Sequence, residues 1–252
     1  MNKIAFITGA TAGIGEACAK KLAKIGFDLI ISGRRKENLE KLKQKIIADY
    51  HVKVLAIELD VRNQKEVESK INSLPKEWIK IDLLLNNAGL AVGVSPVQEG
   101  IIDDWERMID TNLKGLLYIT RTISPLMIER KKGQIINITS IAGKEVYPGG
   151  NVYCATKHAV DAITKGMRID LLPHNIKVSS IAPGMVETEF SLVRFKGDEE
   201  KAEQVYNGFT PLYAEDIAET VEFIATRPAH VNINDILIMP ANQASARDVN
   251  RV

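Results

Sequence analysis

Tyr153 and Lys157 stand four residues apart in Asn-Val-Tyr-Cys-Ala-Thr-Lys, with Ser140 a short way upstream. Four residues is about one helical turn, so both side chains project from the same face. A phenol beside a fixed ammonium makes an acid/base that operates near neutral pH. Free tyrosine titrates near 10, and a positive charge about 5 Å away at an effective dielectric of about 20 is worth roughly 3 kcal/mol, or about two pKa units. Tyr153 is therefore expected to titrate well below its ordinary range, giving a proton to a carbonyl or taking one from an alcohol. The same spacing also fits a half-buried tyrosine beside a solvated lysine, so its meaning depends on the surrounding chain.

Short apolar runs alternate with amphipathic stretches. Strands are expected at Lys3 to Ile7, Asp28 to Ser32, Val52 to Leu59, Asp82 to Asn86, Gln134 to Thr139, Ile176 to Ile181 and Ile236 to Met239. Helices are expected at Gly13 to Ile25, Glu37 to Asp49, Gln64 to Ser73, Trp105 to Glu129 with an interruption near Thr111-Asn112, Val152 to Leu172 with Pro173 as its stop, and Glu215 to Thr226. Strands that are apolar throughout and separated by helices indicate a parallel sheet covered on both faces. With right-handed crossovers this is an α/β, Rossmann-type, doubly wound sheet of seven parallel strands in one domain spanning residues 1–252, with ligands at the carboxyl ends of the strands.

The motifs fall at those ends. Thr8-Gly9-Ala10-Thr11-Ala12-Gly13-Ile14-Gly15 joins the first strand to the first helix. Gly9 permits a tight turn, Gly13 close backbone approach, and Gly15 close packing of helix on strand, while free amides near Thr11 and Ile14 can hold a pyrophosphate. The second strand ends in Ile31-Ser32-Gly33-Arg34-Arg35. A carboxylate there would hold a ribose 2′-hydroxyl; two arginines suit a 2′-phosphate, with Ser32 as a further contact, so NADP is preferred to NAD. The alternative for Arg34 and Arg35 is a basic helix start on the surface, which the helix dipole opposes. Asp60-Val61 is placed to meet an adenine. Asn87, Ala88 and Gly89 suit a backbone that passes close to a ribose, and Asn86 either joins them or stabilises the sheet edge.

This ordered set, together with Asn112, Ser140, Tyr153, Lys157 and Pro183-Gly184, resembles the short-chain dehydrogenase/reductase superfamily over essentially the whole chain. Within it, Gly149 to Tyr153, Thr188-Glu189-Phe190, Val193 to Asp198 and Pro228 to Asn234 are similar to NADP-dependent 3-hydroxy acid dehydrogenases, which act on L-allo-threonine, serine and short relatives and on malonic semialdehyde in reverse. The resemblance implies that Tyr153 is the proton donor and acceptor. Lys157 would lower its pKa and bond the nicotinamide ribose, and Ser140 would orient the substrate oxygen. Asn112 would hold a water linking Lys157 to solvent. Pro183, Gly184, Val186 and Thr188 would line the nicotinamide, with hydride from the 4-pro-S face. One departure stands out: Ala12 occupies a position where many NADP-using members carry a base, which leaves the 2′-phosphate to Arg34, Arg35 and Ser32.

From Glu187 to about Phe209 the chain reads as an irregular loop of the kind that closes over substrate. Within it Arg194 is the candidate for neutralising a substrate carboxylate; packing on the surface or bridging subunits is its alternative. Tyr147 and Tyr206 are further pocket candidates that serve equally well as packing, and Asn151 is a candidate N-cap. The other readings of function keep this machinery for a pterin, steroid, sugar or bulky ketone, or lose turnover and leave an NADP-binding sensor.

Bulk properties agree with a small-molecule enzyme. A net charge of +1 gives no reason to expect nucleic acid or an anionic membrane as partner. No leader or apolar span is apparent, and Cys18 and Cys154 make neither a disulfide framework nor a metal site, so a reduced, cytoplasmic setting is expected. The four histidines show no ligand spacing, and no metal is expected. The tail from Pro240 would, by resemblance, lie across a neighbouring subunit of a homotetramer.

Overall fold

The computed structural model describes residues 2–252. Seven parallel strands run β1 (Ile4–Thr8), β2 (Asp28–Gly33), β3 (Val54–Glu58), β4 (Ile81–Asn86), β5 (Gly133–Ile138), β6 (Ile176–Pro183) and, near the end of the chain, β9 (Asp235–Ile238). Their spatial order is β3-β2-β1-β4-β5-β6-β9. Connections from β1 run outward in one direction through β2 and β3, then cross back to β4. The crevice between β1 and β4 is thus the topological switch point, where an open α/β sheet receives ligands.

All five residues of β1 are buried, because successive side chains enter opposite helical layers. Ala5 and Ile7 meet Cys18 and Leu22 of α1 (Gly13–Lys24), Leu39 and Ile46 of α2 (Lys36–Tyr50), and Ile217 and Val221 of α9 (Ala214–Ala225). Ile4 and Phe6 meet Val67 of α3 (Gln64–Asn72), Ile119 and Ile123 of α5 (Leu116–Glu129), and Val160 and Met167 of α6 (Asn151–Leu171). Each fully buried side chain of this size contributes about 1.5–3 kcal/mol, so the two layers hold the strand ends rigidly. Cys18 and Cys154 are buried free thiols. Among the described residues no helix is long and apolar enough to cross a membrane.

The interruption expected near Thr111-Asn112 is a π-helical turn, Asp110–Gly115, between α4 (Ile102–Ile109) and α5. Such insertions widen a helix locally and recur at functional sites. Two expectations need correction. The stretch from Glu187 to Phe209 is not irregular throughout: it carries α7 (Phe190–Arg194) and α8 (Glu199–Gln204), above a small parallel pair, β7 (Val186–Glu187) and β8 (Leu212–Tyr213). Asp198 caps α8 by accepting from the Lys201 amide at 3.1 Å, with Glu199 and Glu200 following on the favourable side of the dipole. Asn151 is the first residue of α6, not its cap; its Oδ1 accepts from the adjacent Val152 amide at 2.7 Å while its amide donates to Ser95 O. Within its own chain the tail is tied down by Gln243 Oε1, which accepts from Met185 N, by the Ala246 amide, which donates to Glu145 Oε2, and by the Val252 amide, which donates to Gly208 O.

Candidate active site

The glycine turn is shaped by contacts that leave no room for side chains. Gly9 has φ +66°, and a Cβ on it would lie 2.9 Å from Ala88 Cα. A Cβ on Gly15 would lie 2.3 Å from Gly9 O. Gly15 therefore supports the turn from beneath and does not line the cleft. Asn87 staples the turn to β4: its amide donates to Thr8 O at 3.0 Å and Gly9 O at 3.1 Å. Thr8 Oγ1 in turn accepts from the Asn87 and Ala88 amides, each at 3.0 Å. Thr8 was not singled out in the sequence, although its place just before Gly9 at a strand end was the available signal.

A cleft of about 380 Å³ opens over this turn, a size in the range of small-ligand sites. Gly9, Thr11, Gly13 and Ile14 form its floor, with Asn87, Ala88 and Gly89 alongside. Arg34 and Arg35 stand at one end with Asp60 and Val61; Ser140, Tyr153 and Lys157 stand at the other with Pro183, Gly184, Val186 and Thr188. Phe190 and Val193 of the substrate segment also line it, as do Leu59, Arg107 and Thr111, the last three brought there by packing that no local motif announces.

The cationic end fits a phosphate. Arg35 donates to Thr11 Oγ1 and O and pairs with Glu189 at 3.0 Å, both partners largely exposed. An exposed pair of this kind contributes little and is readily exchanged. Arg34 is exposed beside it. Ser32 does not join them: it is buried and its hydroxyl donates to Ile7 O at 3.2 Å, because the strand's alternation turns it inward. Asp60 is gripped by Arg62, with Nη2 to Oδ2 at 2.6 Å, and this bond holds its carboxyl below the usual range. Asn86 is likewise absent from the cleft; its amide donates to Thr120 Oγ1 and Asn137 Oδ1, each at 2.9 Å, which ties the carboxyl ends of β4 and β5 to α5 in the middle of the sheet.

At the other end α6 presents Tyr153 and Lys157 on one face, both buried. Lys157 Nζ donates to Ile138 O at 3.0 Å and lies 5.9 Å from the centre of the Tyr153 ring. Ser140 lines the cleft beside Tyr153 and is itself fixed by accepting from the Ala142 amide at 3.1 Å. The expected acidification of Tyr153 is not found without ligand. Burial pushes its phenol up, and the opposing influence of the Ser140 hydroxyl and the Arg194 charge does not outweigh it. The same burial pushes the Lys157 ammonium down to about 8. A low-dielectric pocket disfavours phenolate and ammonium alike, and that cost exceeds the attraction the spacing suggested.

Asn112 does not itself line the cleft. Its Oδ1 accepts from Leu90 N at 2.8 Å, and Nδ2 donates to Leu90 O at 2.8 Å and Thr156 Oγ1 at 3.1 Å, which locks the π turn to the segment after Gly89.

Arg194, at the end of α7, stacks over Tyr147 at 5.2 Å and lies 6.0 Å from the Phe195 ring. Its Nε is buried without a hydrogen-bond partner. Arg194 does not itself line the cleft, but its charge acts on the Tyr153 phenol, and a buried, unpaired guanidinium donor there is suited to an anionic group. Phe190 brings its ring to 5.7 Å from that of Tyr153, which dries the approach. Tyr206 is structural: its hydroxyl bonds Ser191 Oγ at 2.6 Å and Val186 O at 2.9 Å.

Comparison with known proteins agrees with this geometry. The short chain dehydrogenase family model matches residues 3–198. The NADP-dependent 3-hydroxy acid dehydrogenase YdfG of Salmonella typhi is 49% identical over 244 residues, covering 96% of this chain and 97% of the relative. Sulfoacetaldehyde reductase 2 of Chromohalobacter salexigens is 45% identical over 245 residues, covering 97% and 96%. The closed form of a serine dehydrogenase complexed with NADP+ superposes with TM-score 0.93 at 47% identity, covering 99% of this chain and all of that one. The seven-stranded parallel sheet, the stapled glycine turn and the Ser140, Tyr153 and Lys157 group thus belong to a family member: this chain is a short-chain dehydrogenase.

Proposed function

We propose that this protein is an NADP-dependent 3-hydroxy acid dehydrogenase, interconverting serine, L-allo-threonine or 3-hydroxypropionate and the matching carbonyl, such as malonic semialdehyde. The oxidoreductase chemistry and the NADP preference follow the family and its NADP-dependent relatives. The observation that carries the substrate class is the buried, unpartnered Nε of Arg194 beside the Tyr153 pocket.

The cleft fits the cofactor. The turn from Gly9 to Ile14 offers amides for a pyrophosphate, with no side chain in the way. Arg34 and Arg35 would hold the 2′-phosphate, and Asp60 and Val61 the adenine. Asn87 to Gly89 would meet a ribose, Tyr153 and Lys157 the nicotinamide ribose, and Pro183, Gly184, Val186 and Thr188 the nicotinamide. When bound, NADP supplies the hydride acceptor or donor.

The chain's own residues do the rest. Ser140 orients the substrate oxygen and Arg194 holds the carboxylate, so the reacting carbon is aligned before chemistry. Tyr153 Oη gives its proton to the carbonyl oxygen in reduction and takes the hydroxyl proton in oxidation. A phenol held neutral by burial is ready for the first task; the second requires phenolate, which Lys157 favours only while charged. Phe190 and Val193 exclude water from the approach.

A guanidinium accepts a sulfonate as readily as a carboxylate, and the similarity to a sulfoacetaldehyde reductase supports a short sulfonated aldehyde as a second reading. On either reading a cytoplasmic setting is expected from the two free, buried thiols, and a homotetramer from family resemblance. The test is Tyr153→Phe. Turnover should fall about 10²–10⁴-fold while NADPH binding persists by fluorescence titration; a variant that keeps its turnover would remove Tyr153 from the mechanism.

A further inference from the structure

We propose that Asp104 and Lys196 are positioning residues whose ion pair sets Arg194 in place, and so set the affinity for anionic substrates. The inference rests on the reading of Arg194 as the carboxylate clamp.

Asp104 lies in the first turn of α4, where the helix dipole welcomes a carboxylate. The dipole does not explain its burial: the residue is 4% exposed. A charge so placed needs a partner, and Lys196 Nζ supplies one at 2.7 Å, with Arg107 Nη1 more distant at 4.0 Å. Lys196 comes from the far side of the cleft, two residues after Arg194. Its φ of +56° is that of the left-handed residue in the cap that ends α7, where the Lys196 amide donates to Val193 O at 3.2 Å and the Gly197 amide to Leu192 O at 2.9 Å.

A second tie joins the same two segments. The Gly93 amide donates to Arg194 O at 2.9 Å. Gly93 has φ +72°, and a Cβ on it would lie 3.2 Å from Asp104 Oδ2. The main chain of Arg194 and the side chain of Lys196 are therefore both fastened to one patch around Asp104. That patch is continuous with the catalytic wall, since Met108 and Trp105 of α4 pack in the same apolar cluster as Tyr153 and Phe190. With its Cα fixed in this way, Arg194 has its guanidinium stacked on Tyr147 and its Nε directed into a buried place with no partner. Asp104 and Lys196 touch neither cofactor nor reacting atoms. They act through Arg194, and the ion pair is the link by which α7 closes on α4.

The experiment uses full-length protein saturated with NADP⁺ and two variants, Asp104→Asn and Lys196→Met, with Lys196→Arg as the conservative control. KM for 3-hydroxypropionate should rise about tenfold, the loss of roughly one charge-assisted hydrogen bond, with kcat unchanged. KM for an uncharged secondary alcohol should stay constant, and Lys196→Arg should behave as wild type. Amide hydrogen exchange over residues 190–197 should be faster in both variants than in wild type. Equal changes in KM for acid and alcohol, or exchange unaltered by both substitutions, would overturn the proposal. Lys196 is largely exposed, so Lys196→Met keeps the test usable should Asp104→Asn fail to fold. If wild type turns over no hydroxy acid, the reading of function fails by itself, and exchange still decides whether the pair anchors α7.

Discussion

Replacing Arg194 by Met tests the substrate reading at its source. Methionine keeps much of the arginine stem's apolar volume and removes the charge and the donors. In the free protein little is lost: the guanidinium's contact with Tyr147 at 5.2 Å is a cation–π contact worth about 0.5–1 kcal/mol, and Nε has no partner to forfeit. With a carboxylate substrate the account is different. A charge-assisted hydrogen bond contributes about 1.5–3 kcal/mol, so kcat/KM for 3-hydroxypropionate or serine should fall about 10–150-fold. Arg194 also pulls the Tyr153 phenol down, so its removal slows oxidation of every substrate somewhat. The decisive quantity is therefore the ratio of kcat/KM for the hydroxy acid to that for an uncharged secondary alcohol of similar size. Steady-state rates of NADPH formation give both. A ratio that falls at least tenfold is expected; a ratio equal to wild type would show that Arg194 is packing and that the carboxylate is held elsewhere.

Other perturbations probe the rest of the cleft. Arg34→Ala with Arg35→Ala should weaken NADP⁺ binding by about 100-fold or more and leave NAD⁺ nearly unaffected by calorimetry; equal losses would place the 2′-phosphate elsewhere. Lys157, pushed down from 10.5 to about 8 by burial, binds fewer protons folded than unfolded between those values, so it adds stability as pH rises through that window, by about 3 kcal/mol in all. Urea midpoints should show that rise in wild type and lose it in Lys157→Met; parallel curves would refute the buried-charge argument. Gly15→Ala sets a Cβ 2.3 Å from Gly9 O and should cost about 1–3 kcal/mol, whereas Gly166→Ala, in α6 with nothing within 4 Å of the new Cβ, should gain about 0.5–1 kcal/mol. Denaturant unfolding of the pair checks both signs.

The sheet was legible because a parallel strand buried on both faces needs an apolar side chain at nearly every position, as in Ile4-Ala5-Phe6-Ile7. The turn and the Tyr153–Lys157 face were legible because their spacing is local: Gly9 to Gly15 spans one strand–helix junction, and Lys157 lies one turn from Tyr153. What escaped depends on partners distant in sequence. Ser32 reads as a phosphate contact until Ile7 O claims its hydroxyl. The bonds that tie Asn112 to both main-chain groups of Leu90 have no local signal either. The two helices of the substrate segment are too short for periodicity to reveal, although Asp198 before two glutamates was a cap signal. Asp104 precedes the helix expected from Trp105, and only the fold, which starts that helix at Ile102, brings Lys196 to it. The direction of the Tyr153 shift was misjudged because spacing conveys charge proximity but not desolvation.

The account's central claim is an NADP-dependent oxidoreductase for short anionic alcohols. Its most direct test is the rate of NADP⁺ and NAD⁺ reduction by purified protein with L-serine, D-serine, L-allo-threonine, 3-hydroxypropionate, 3-hydroxyisobutyrate and an uncharged secondary alcohol, together with NADPH oxidation by sulfoacetaldehyde. Turnover of the hydroxy acids with NADP⁺ and not NAD⁺ is expected. Turnover confined to the uncharged alcohol, or supported equally by NAD⁺, would contradict the roles given to Arg194 or to Arg34 and Arg35.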